Sequence, residues 1–189
     1  MSGWIKEYQR KKLLKKCRRE VATDFINLSK ITSLGFIFSI TSQESLSDLM
    51  DVYRFLKFKG IPFKGLAIET QKNVLAKIAQ DPLLKEIEQA LCLKVVPYEK
   101  LSWTGTVDDA EVKEFFASQT DLFISFNPNR CFTIDHTFSA YVESPMRVGM
   151  ENNPDIPYSL VFEGKEKTLL NPLDYLNQIF HYLHIIKTK

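Results

Sequence analysis

Short runs of apolar residues, separated by segments with helical periodicity, are the sequence feature that most restricts the fold of this chain. The run Leu34–Ile40 is almost wholly apolar, with many aromatic and β-branched residues, and residues 121–126 repeat this pattern. Runs of this length, without a polar residue at every second position, suit strands that are buried on both faces. Such strands occur mainly in parallel sheets covered by helices on each side, so the sequence predicts an α/β fold.

The first apolar run leads directly into a predicted helix. Thr41 stands three residues before Glu44, which is the spacing of a capping box, and Gly60 supplies a stop for the helix. Residues 62–69 form a second predicted strand. A strand, a helix and a strand with short connections predict a right-handed βαβ unit.

The same alternation continues to the end of the chain. We predict further strands at residues 93–98, 121–126, 146–149 and 158–162, and helices at residues 71–91 (interrupted near Pro82), 108–118, 133–142 and after the Asn171-Pro172 pair. The expected architecture is a three-layer Rossmann-like sandwich, with a mainly parallel sheet of five to six strands in the order 3-2-1-4-5. The pairing of the sixth strand stays open.

The first residues differ from the rest of the chain in charge. Residues 1–20 hold eight Lys and Arg side chains against two Glu, a sum of +6; the whole chain sums to +2, which leaves −4 for the remaining residues. Apolar residues recur in this segment at roughly helical spacing, with no proline among them. We therefore predict a basic amphipathic helical arm over residues 1–22 and a single Rossmann-like domain over residues 23–189.

This arm points to a partner. Its cations could contact the phosphates of nucleic acid or the ribosome, or an anionic membrane surface. A solvated helix, or one that pairs with a second copy in a homo-oligomer, stays open because the apolar stripe is thin. The candidate contact residues are Lys11, Lys12, Lys15, Lys16, Arg18 and Arg19.

A second candidate site follows from the predicted strand order. Ligands of Rossmann-like sheets lie beyond the carboxyl ends of the strands where the order reverses, here after the first and fourth strands. No G-x-G-x-x-G or G-x-x-x-x-G-K-[ST] motif occurs, and Glu44 would place negative charge where a phosphate should bind, so we expect no nucleotide cofactor. Amide and guanidinium donors could still hold an anion there, although Asn and Pro are also common turn residues. The candidate crevice residues are Thr41, Ser42, Asn127, Asn129 and Arg130.

No residue pattern favours a catalytic centre or a metal site. Cys131 and His136 are five residues apart, so their side chains would diverge on a helix, and a buried structural cysteine is the favoured interpretation. His181 and His184 share a predicted helix face, but no third ligand is indicated near them. We therefore expect no catalytic residue, no metal and no cofactor.

Composition favours a cytoplasmic protein. The three cysteines form no C-x-x-C pair and are odd in number, which suits a reducing compartment. No apolar run approaches 18 residues, and the N-terminus turns charged at Lys6, unlike a secretory signal. A peripheral position on the inner membrane surface is the alternative.

Several stretches resemble known families. The basic opening, residues 101–105 (Leu-Ser-Trp-Thr-Gly), residues 120–126 (Thr-Asp-Leu-Phe-Ile-Ser-Phe) and Met146–Gly149 resemble an uncharacterised family of Bacteroidetes proteins with a domain of unknown function. Residues 121–149 are also similar to part of the N-terminal Rossmann-like domain of heptosyltransferase-type glycosyltransferases. The first resemblance implies no activity. The second implies an acceptor-side domain without the second domain that binds the sugar nucleotide.

Together these observations favour a non-catalytic α/β binding or adaptor module whose basic arm contacts an anionic partner. The alternative is a small-molecule-binding protein, or a glycosyltransferase-like enzyme fragment, that uses the crevice after the first and fourth strands.

Overall fold

The computed structural model describes residues 25–102, 107, 109–126, 142–150, 158–162 and 171–186, and the single positions 5, 8, 9, 11 and 12. Within these ranges, helices pack on both faces of one sheet and bury two apolar clusters against it. The predicted α/β, Rossmann-like sandwich is confirmed.

Six strands form this sheet, and every described pairing is parallel. The strands are β1 (Leu34–Ile40), β2 (Phe63–Glu69), β3 (Leu93–Val96), β4 (Leu122–Phe126), β5 (Met146–Gly149) and β6 (Leu160–Val161). Their spatial order is β3-β2-β1-β4-β5-β6, which confirms the predicted order and places β6 beside β5. The order reverses between β1 and β4, where the sequence predicts the crevice.

Helices cover the two faces unequally in the described part of the chain. The helices are α1 (Gln43–Lys59), α2 (Val74–Lys77), α3 (Pro82–Gln89), α4 (Ala110–Ala117) and α5 (Pro172–Ile185), with single 3-10 turns at Leu28–Lys30 and Tyr98–Lys100. The first three and the last contribute buried side chains to the larger cluster. Helix α4 packs against the smaller cluster on the opposite face.

Strand β1 joins the two clusters, because all seven of its residues are buried. Phe36 and Phe38 point into the larger cluster, whereas Ile37 belongs to the smaller one. The rings of Phe36 and Phe38 both pack against Phe126 of β4, at centroid distances of 5.7 and 5.8 Å. The apolar run that predicted a doubly buried strand therefore does form one.

Local signals located the end of α1 and the start of α5 correctly. Gly60 ends α1 in the left-handed conformation with φ of 68°, and Asn171 caps α5 with Pro172 in its first turn. The capping box of α1 was predicted one residue too early. Ser42, not Thr41, is the N-cap, and Ser45 rather than Glu44 completes the box.

Other predicted boundaries shift as well. Strand β3 ends at Val96 rather than at residue 98, because Pro97 and the 3-10 turn that follows it leave the ladder. The sixth strand is shorter than predicted, with two residues. The predicted helix at residues 133–142 lies outside the described residues except for Val142, which is buried in the smaller cluster.

The predicted arm is described at few positions. Five of its residues have helical backbone, and all but the first are exposed: Ile5, Tyr8, Gln9, Lys11 and Lys12. The other candidate cations, Lys15, Lys16, Arg18 and Arg19, lie outside the described residues. A helix over residues 1–22 therefore stays a prediction.

Among the described glycines, Gly65 lies closest to neighbouring side chains, which generates a test of the core. A Cβ atom at this position would lie 2.3 Å from Cζ of Phe36 and 2.5 Å from Cδ2 of Leu93. We expect Gly65→Ala to lower the free energy of unfolding by about 1–3 kcal/mol, the usual cost of overpacking a core. Urea denaturation measures this change.

A matched control is Gly60→Asn. The position has a positive φ, a Cβ atom there would meet no other atom within 4 Å, and Asn tolerates left-handed backbone. We expect this variant to lose less stability than Gly65→Ala. Equal losses in the two variants would contradict the close packing around Gly65.

Candidate functional site

The two ends of the parallel sheet differ in chemistry. We call the end where the strands finish the carboxyl edge and the end where they begin the amino edge. Thr41 and Ser42 follow β1 at the carboxyl edge, as predicted. Their predicted partners in the crevice, Asn127, Asn129 and Arg130, lie outside the described residues, so a meeting of the two loops stays a prediction.

Of the predicted crevice, the structure describes Thr41 and Ser42, whose polar groups bond within the start of α1. Ser45 Oγ accepts from the backbone amides of Thr41 and Ser42, at 3.0 and 3.1 Å, and donates to the Ser42 carbonyl at 2.7 Å. Ser42 Oγ in turn accepts from the Ser45 amide at 3.3 Å. Backbone amides at a helix N-terminus are the groups that an anion would bind. In this protein the amides of Thr41, Ser42 and Ser45 donate to serine hydroxyls of the same helix start.

The remaining anion position at this helix start is taken by a side chain of α1. A hydrogen bond with the Ser42 side chain and one from its own backbone amide lower the pKa of Glu44. The carboxylate is therefore negative at neutral pH and lies at the positive end of the helix dipole. Phosphate binding by this turn is opposed by charge as well as by occupied donors.

Glu69 is a buried carboxylate that the sequence analysis did not single out. It ends β2, and only 1% of its surface is exposed. Oε1 accepts from the Leu75 amide at 2.8 Å, and Oε2 accepts from the Tyr98 amide at 2.7 Å. Both oxygens therefore hold loops together: one the start of α2, the other the turn after β3. A lone acidic residue at the end of an apolar strand was the available clue.

This arrangement predicts a structural rather than a catalytic Glu69. The Gln side chain of Glu69→Gln has one acceptor oxygen, and its NH2 group would face a second donor. We expect the free energy of unfolding to fall by about 1.5–3 kcal/mol, the range for hydrogen bonds to charged groups. Hydrogen exchange at the Leu75 and Tyr98 amides should accelerate in the same variant.

The matched control removes an exposed carboxylate from α3. Glu86 pairs with Arg54 at 3.4 Å, and both side chains are about half exposed. We expect Glu86→Gln to cost less than about 1 kcal/mol, because exposed ion pairs contribute little. Similar losses in Glu69→Gln and Glu86→Gln would contradict the role assigned to Glu69.

The carboxyl edge as a whole is acidic. Partial burial raises the pKa of Asp48, and the negative charges of Asp51 and Glu44 raise it further. Carboxylates outnumber cations among the described residues there. The acidic residues are Glu44, Asp48, Glu69, Asp81, Glu99, Asp109 and Asp174, and the lysines are Lys72, Lys77 and Lys100, the last in an ion pair with Asp109.

The amino edge collects the opposite charge. Its described lysines are Lys30, Lys57, Lys59, Lys64 and Lys94, and its described carboxylates are Glu88, Glu114, Asp121 and Glu143. Asp121 is engaged: its Oδ2 accepts from the amide and the hydroxyl of Thr32, both at 2.7 Å, and from the Ser33 amide at 3.0 Å. Partial burial acts to raise the pKa of Asp121, but the hydrogen bonds from Thr32 and Ser33 outweigh it and lower the pKa.

The chain enters the domain at this same edge. Asn27 Nδ2 donates to the carbonyl of Ile186 at the end of α5, at 2.7 Å. The Leu34 amide, which opens β1, donates to the carbonyl of Pro62 just before β2. The segment that follows the predicted arm therefore lies beside the lysine-rich amino edge.

The structure describes one of the two residue pairs that the sequence analysis considered and rejected as catalytic or metal sites. Cys131 and His136 lie outside the described residues, whereas His181 and His184 are exposed on α5. In the described ranges, no three His, Cys, Asp or Glu side chains come together as a metal site would require. Burial raises the pKa of the half-buried Cys92 thiol, although its own backbone hydrogen bond and Lys57 lower it, and a raised pKa disfavours a thiolate nucleophile.

The described helices are too short or too polar to cross a membrane. Over the described part of the chain, none of them combines the length and the apolar character that a bilayer span needs.

Comparison with known proteins assigns a family but not a role. No curated protein matches the chain. The similarities to Bacteroidetes proteins and to heptosyltransferases therefore stay predictions. A family model described as a family of unknown function (DUF6913) matches residues 4–186, which is nearly the whole chain. The chain thus belongs to DUF6913, a family of unknown function.

Proposed function

We propose that this protein is a non-catalytic binding module whose basic arm contacts an anionic partner. The observation that carries the proposal is the separation of charge between the two edges of the sheet. Residues 1–20 sum to +6 and precede the described segment that starts at Phe25 on the lysine-rich amino edge, while carboxylates dominate the carboxyl edge. Cations that converge at one end of a molecule create a local field that attracts polyanions.

The use of polar groups at the carboxyl edge supports a non-catalytic role. Both carboxylate oxygens of Glu69 accept hydrogen bonds from backbone amides, and the hydroxyls of Ser42 and Ser45 form hydrogen bonds in the cap of α1. Thr70 Oγ1 donates to the carbonyl of Ile40. A catalytic group has to lie within hydrogen-bond reach of the substrate atom that it acts on. These four side chains are instead engaged in structure.

Charge neutralisation in the full chain tests the proposal. We expect the variant Lys11→Gln, Lys12→Gln, Lys15→Gln, Lys16→Gln to bind poly(U) RNA or phosphatidylglycerol vesicles at least about tenfold more weakly at low salt. For RNA, the slope of log affinity against log salt should fall by roughly 3, since each lost phosphate contact removes about 0.7. Fluorescence anisotropy and vesicle co-sedimentation measure the two affinities.

The control removes four exposed lysines elsewhere, with the same change in net charge. It carries Lys72→Gln, Lys77→Gln, Lys85→Gln and Lys113→Gln. If the control variant binds RNA and vesicles no better than the arm variant does, the arm has no specific role and the proposal fails.

A second candidate function is supported by one buried hydroxyl. Ser39, next to last in β1 at the point where the strand order reverses, is 1% exposed, and its Oγ has no hydrogen-bond partner within the described ranges. Unsatisfied buried hydroxyls are uncommon in proteins, and a polar ligand in the crevice would satisfy this one. The resemblance of residues 121–149 to a glycosyltransferase domain makes sugar phosphates and sugar nucleotides the compounds to test.

A thermal-shift screen of these compounds and free nucleotides checks this candidate. A ligand at about 100 times its dissociation constant adds about 2.7 kcal/mol of stability. We expect Ser39→Ala to remove the shift without lowering the melting temperature of the free protein, because the variant deletes a hydroxyl that makes no hydrogen bond with the described residues. Absence of any shift, or an equal shift in the variant, would rule out a ligand held by Ser39.

A further inference from the structure

Large apolar side chains project from the amino edge of the domain. Phe58, in the last turn of α1, is 86% exposed, and Leu91, just before β3, is fully exposed. Phe25 and Ile185 are also exposed, at 43% and 58%. The Gly65 amide donates to the Cys92 carbonyl, which places Leu91 beside the start of β2. Asn27 donates to the Ile186 carbonyl, which places Phe25 near Ile185 at the end of α5. Single exposed apolar residues are ordinary, but a group at one edge calls for an explanation.

Lysines lie among these apolar side chains. Lys57 and Lys59 stand on either side of Phe58, and the ammonium of Lys57 is close enough to Cys92, the neighbour of Leu91, to affect the pKa of its thiol. The ammonium groups of Lys57 and Lys59 lie over the rings of Tyr53 and Phe55, at 5.6 and 5.1 Å.

A cleft beside Leu91 adds two more lysines. Lys64 of β2 and Lys94 of β3 line it from adjacent strands, together with Leu91, and its volume is about 220 Å³. Glu114 also lines the cleft, so its charge is positive by one unit rather than two. Gly65, Cys92, Leu93 and Phe115 complete the lining. The cleft therefore offers cations next to a projecting aliphatic group.

We infer that the amino edge docks on an anionic lipid bilayer, with Phe58 and Leu91 entering the boundary of the acyl chains and the lysines contacting lipid phosphates. This inference rests on the proposed function and names the partner as a membrane surface. Asn27 lies at the same edge, and the proposed contact of residues 1–20, with a sum of +6, would be to the same surface. Binding of this kind depends on apolar insertion together with attraction to anionic headgroups.

The chemistry of the projecting side chains favours lipid over nucleic acid. Single-stranded RNA is bound by stacking its bases on aromatic rings. Phe25 and Phe58 have rings that could stack on bases, but Leu91 and Ile185 are aliphatic and offer none, whereas all four side chains can enter hydrocarbon. A second protein copy would need a contiguous apolar patch, since stable interfaces have an apolar core with charges at the rim. Here Lys57 and Lys59 share the last turn of α1 with Phe58, and Lys64 and Lys94 line the cleft with Leu91, so cations are interspersed among the projecting apolar groups.

The first test compares two apolar substitutions in the full chain. We expect Phe58→Ser with Leu91→Ser to weaken binding to vesicles of phosphatidylcholine and phosphatidylglycerol by at least about tenfold, since each apolar side chain gains free energy on leaving water. The control is Tyr98→Ser, an exposed ring at the carboxyl edge, which should bind as the wild type does. Because Phe58 and Leu91 are exposed, their substitution should leave the urea midpoint unchanged.

A second comparison removes charge from the cleft. Lys64→Gln with Lys94→Gln should weaken binding to the same vesicles by roughly 30-fold, the factor that corresponds to about 1 kcal/mol for each cation. The control, Lys72→Gln with Lys77→Gln, makes the same change in net charge at the carboxyl edge. Vesicles of phosphatidylcholine alone should bind the wild type weakly.

The outcomes separate this inference from the proposed function. If the arm variant loses vesicle binding but both amino-edge variants bind as the wild type does, the inference fails and the role of the arm stands. If the wild type binds poly(U) but not the anionic vesicles, the partner is not a membrane. If the amino-edge variants alone lose binding, the docking edge stands and the role of the arm fails. A dimer that dissociates in the Phe58→Ser, Leu91→Ser variant, without vesicle binding, would assign this edge to a second copy and overturn the inference.

Discussion

The structure depends on the complete burial of β1. Neighbouring strands pair with both of its edges, β2 on one side and β4 on the other, and all of its side chains are buried. With no access to water, its backbone groups must be satisfied by these two ladders. Both faces must also be covered by apolar side chains, so the connecting helices have to lie on both sides of the sheet. The reversal of strand order beside β1 follows from that requirement.

The same geometry accounts for the difference in charge between the two edges. In a parallel sheet, the helix that follows each strand runs in the opposite direction, so helix N-termini gather at the carboxyl edge. Acidic residues are favoured near helix N-termini and cations near C-termini. Glu44 and Asp81 lie at such N-termini, and Lys57 and Lys59 lie in the last turn of α1. In α1 these local preferences place a negative charge at the carboxyl edge and two positive charges at the amino edge.

Rossmann-like sheets usually bind anionic cofactors at the carboxyl edge. In this protein the distribution of charge opposes such binding. Here the start of α1 carries Glu44 and uses its backbone donors in its own cap, while Glu69 is committed to the Leu75 and Tyr98 amides. The opposite edge holds Lys30, Lys57, Lys59, Lys64 and Lys94, the exposed side chains of Phe58 and Leu91, and the described segment that begins at Phe25. Any anionic partner would find favourable charge there.

The sequence by itself determined the elements and their order, because the signals are local: apolar runs for the strands, Gly60 for the end of α1, and Asn171 with Pro172 for the start of α5. It also located the reversal of strand order, since alternation of strands and helices restricts the topology. Only the tertiary structure decided the pairing of β6, the partners of Glu69 and the grouping of Phe58 with Leu91. Glu69 bonds to an amide 29 residues away, and Phe58 and Leu91 reach one edge only after two crossovers. Contacts between residues so distant along the chain depend on how the elements pack, and no local pattern of residues encodes them.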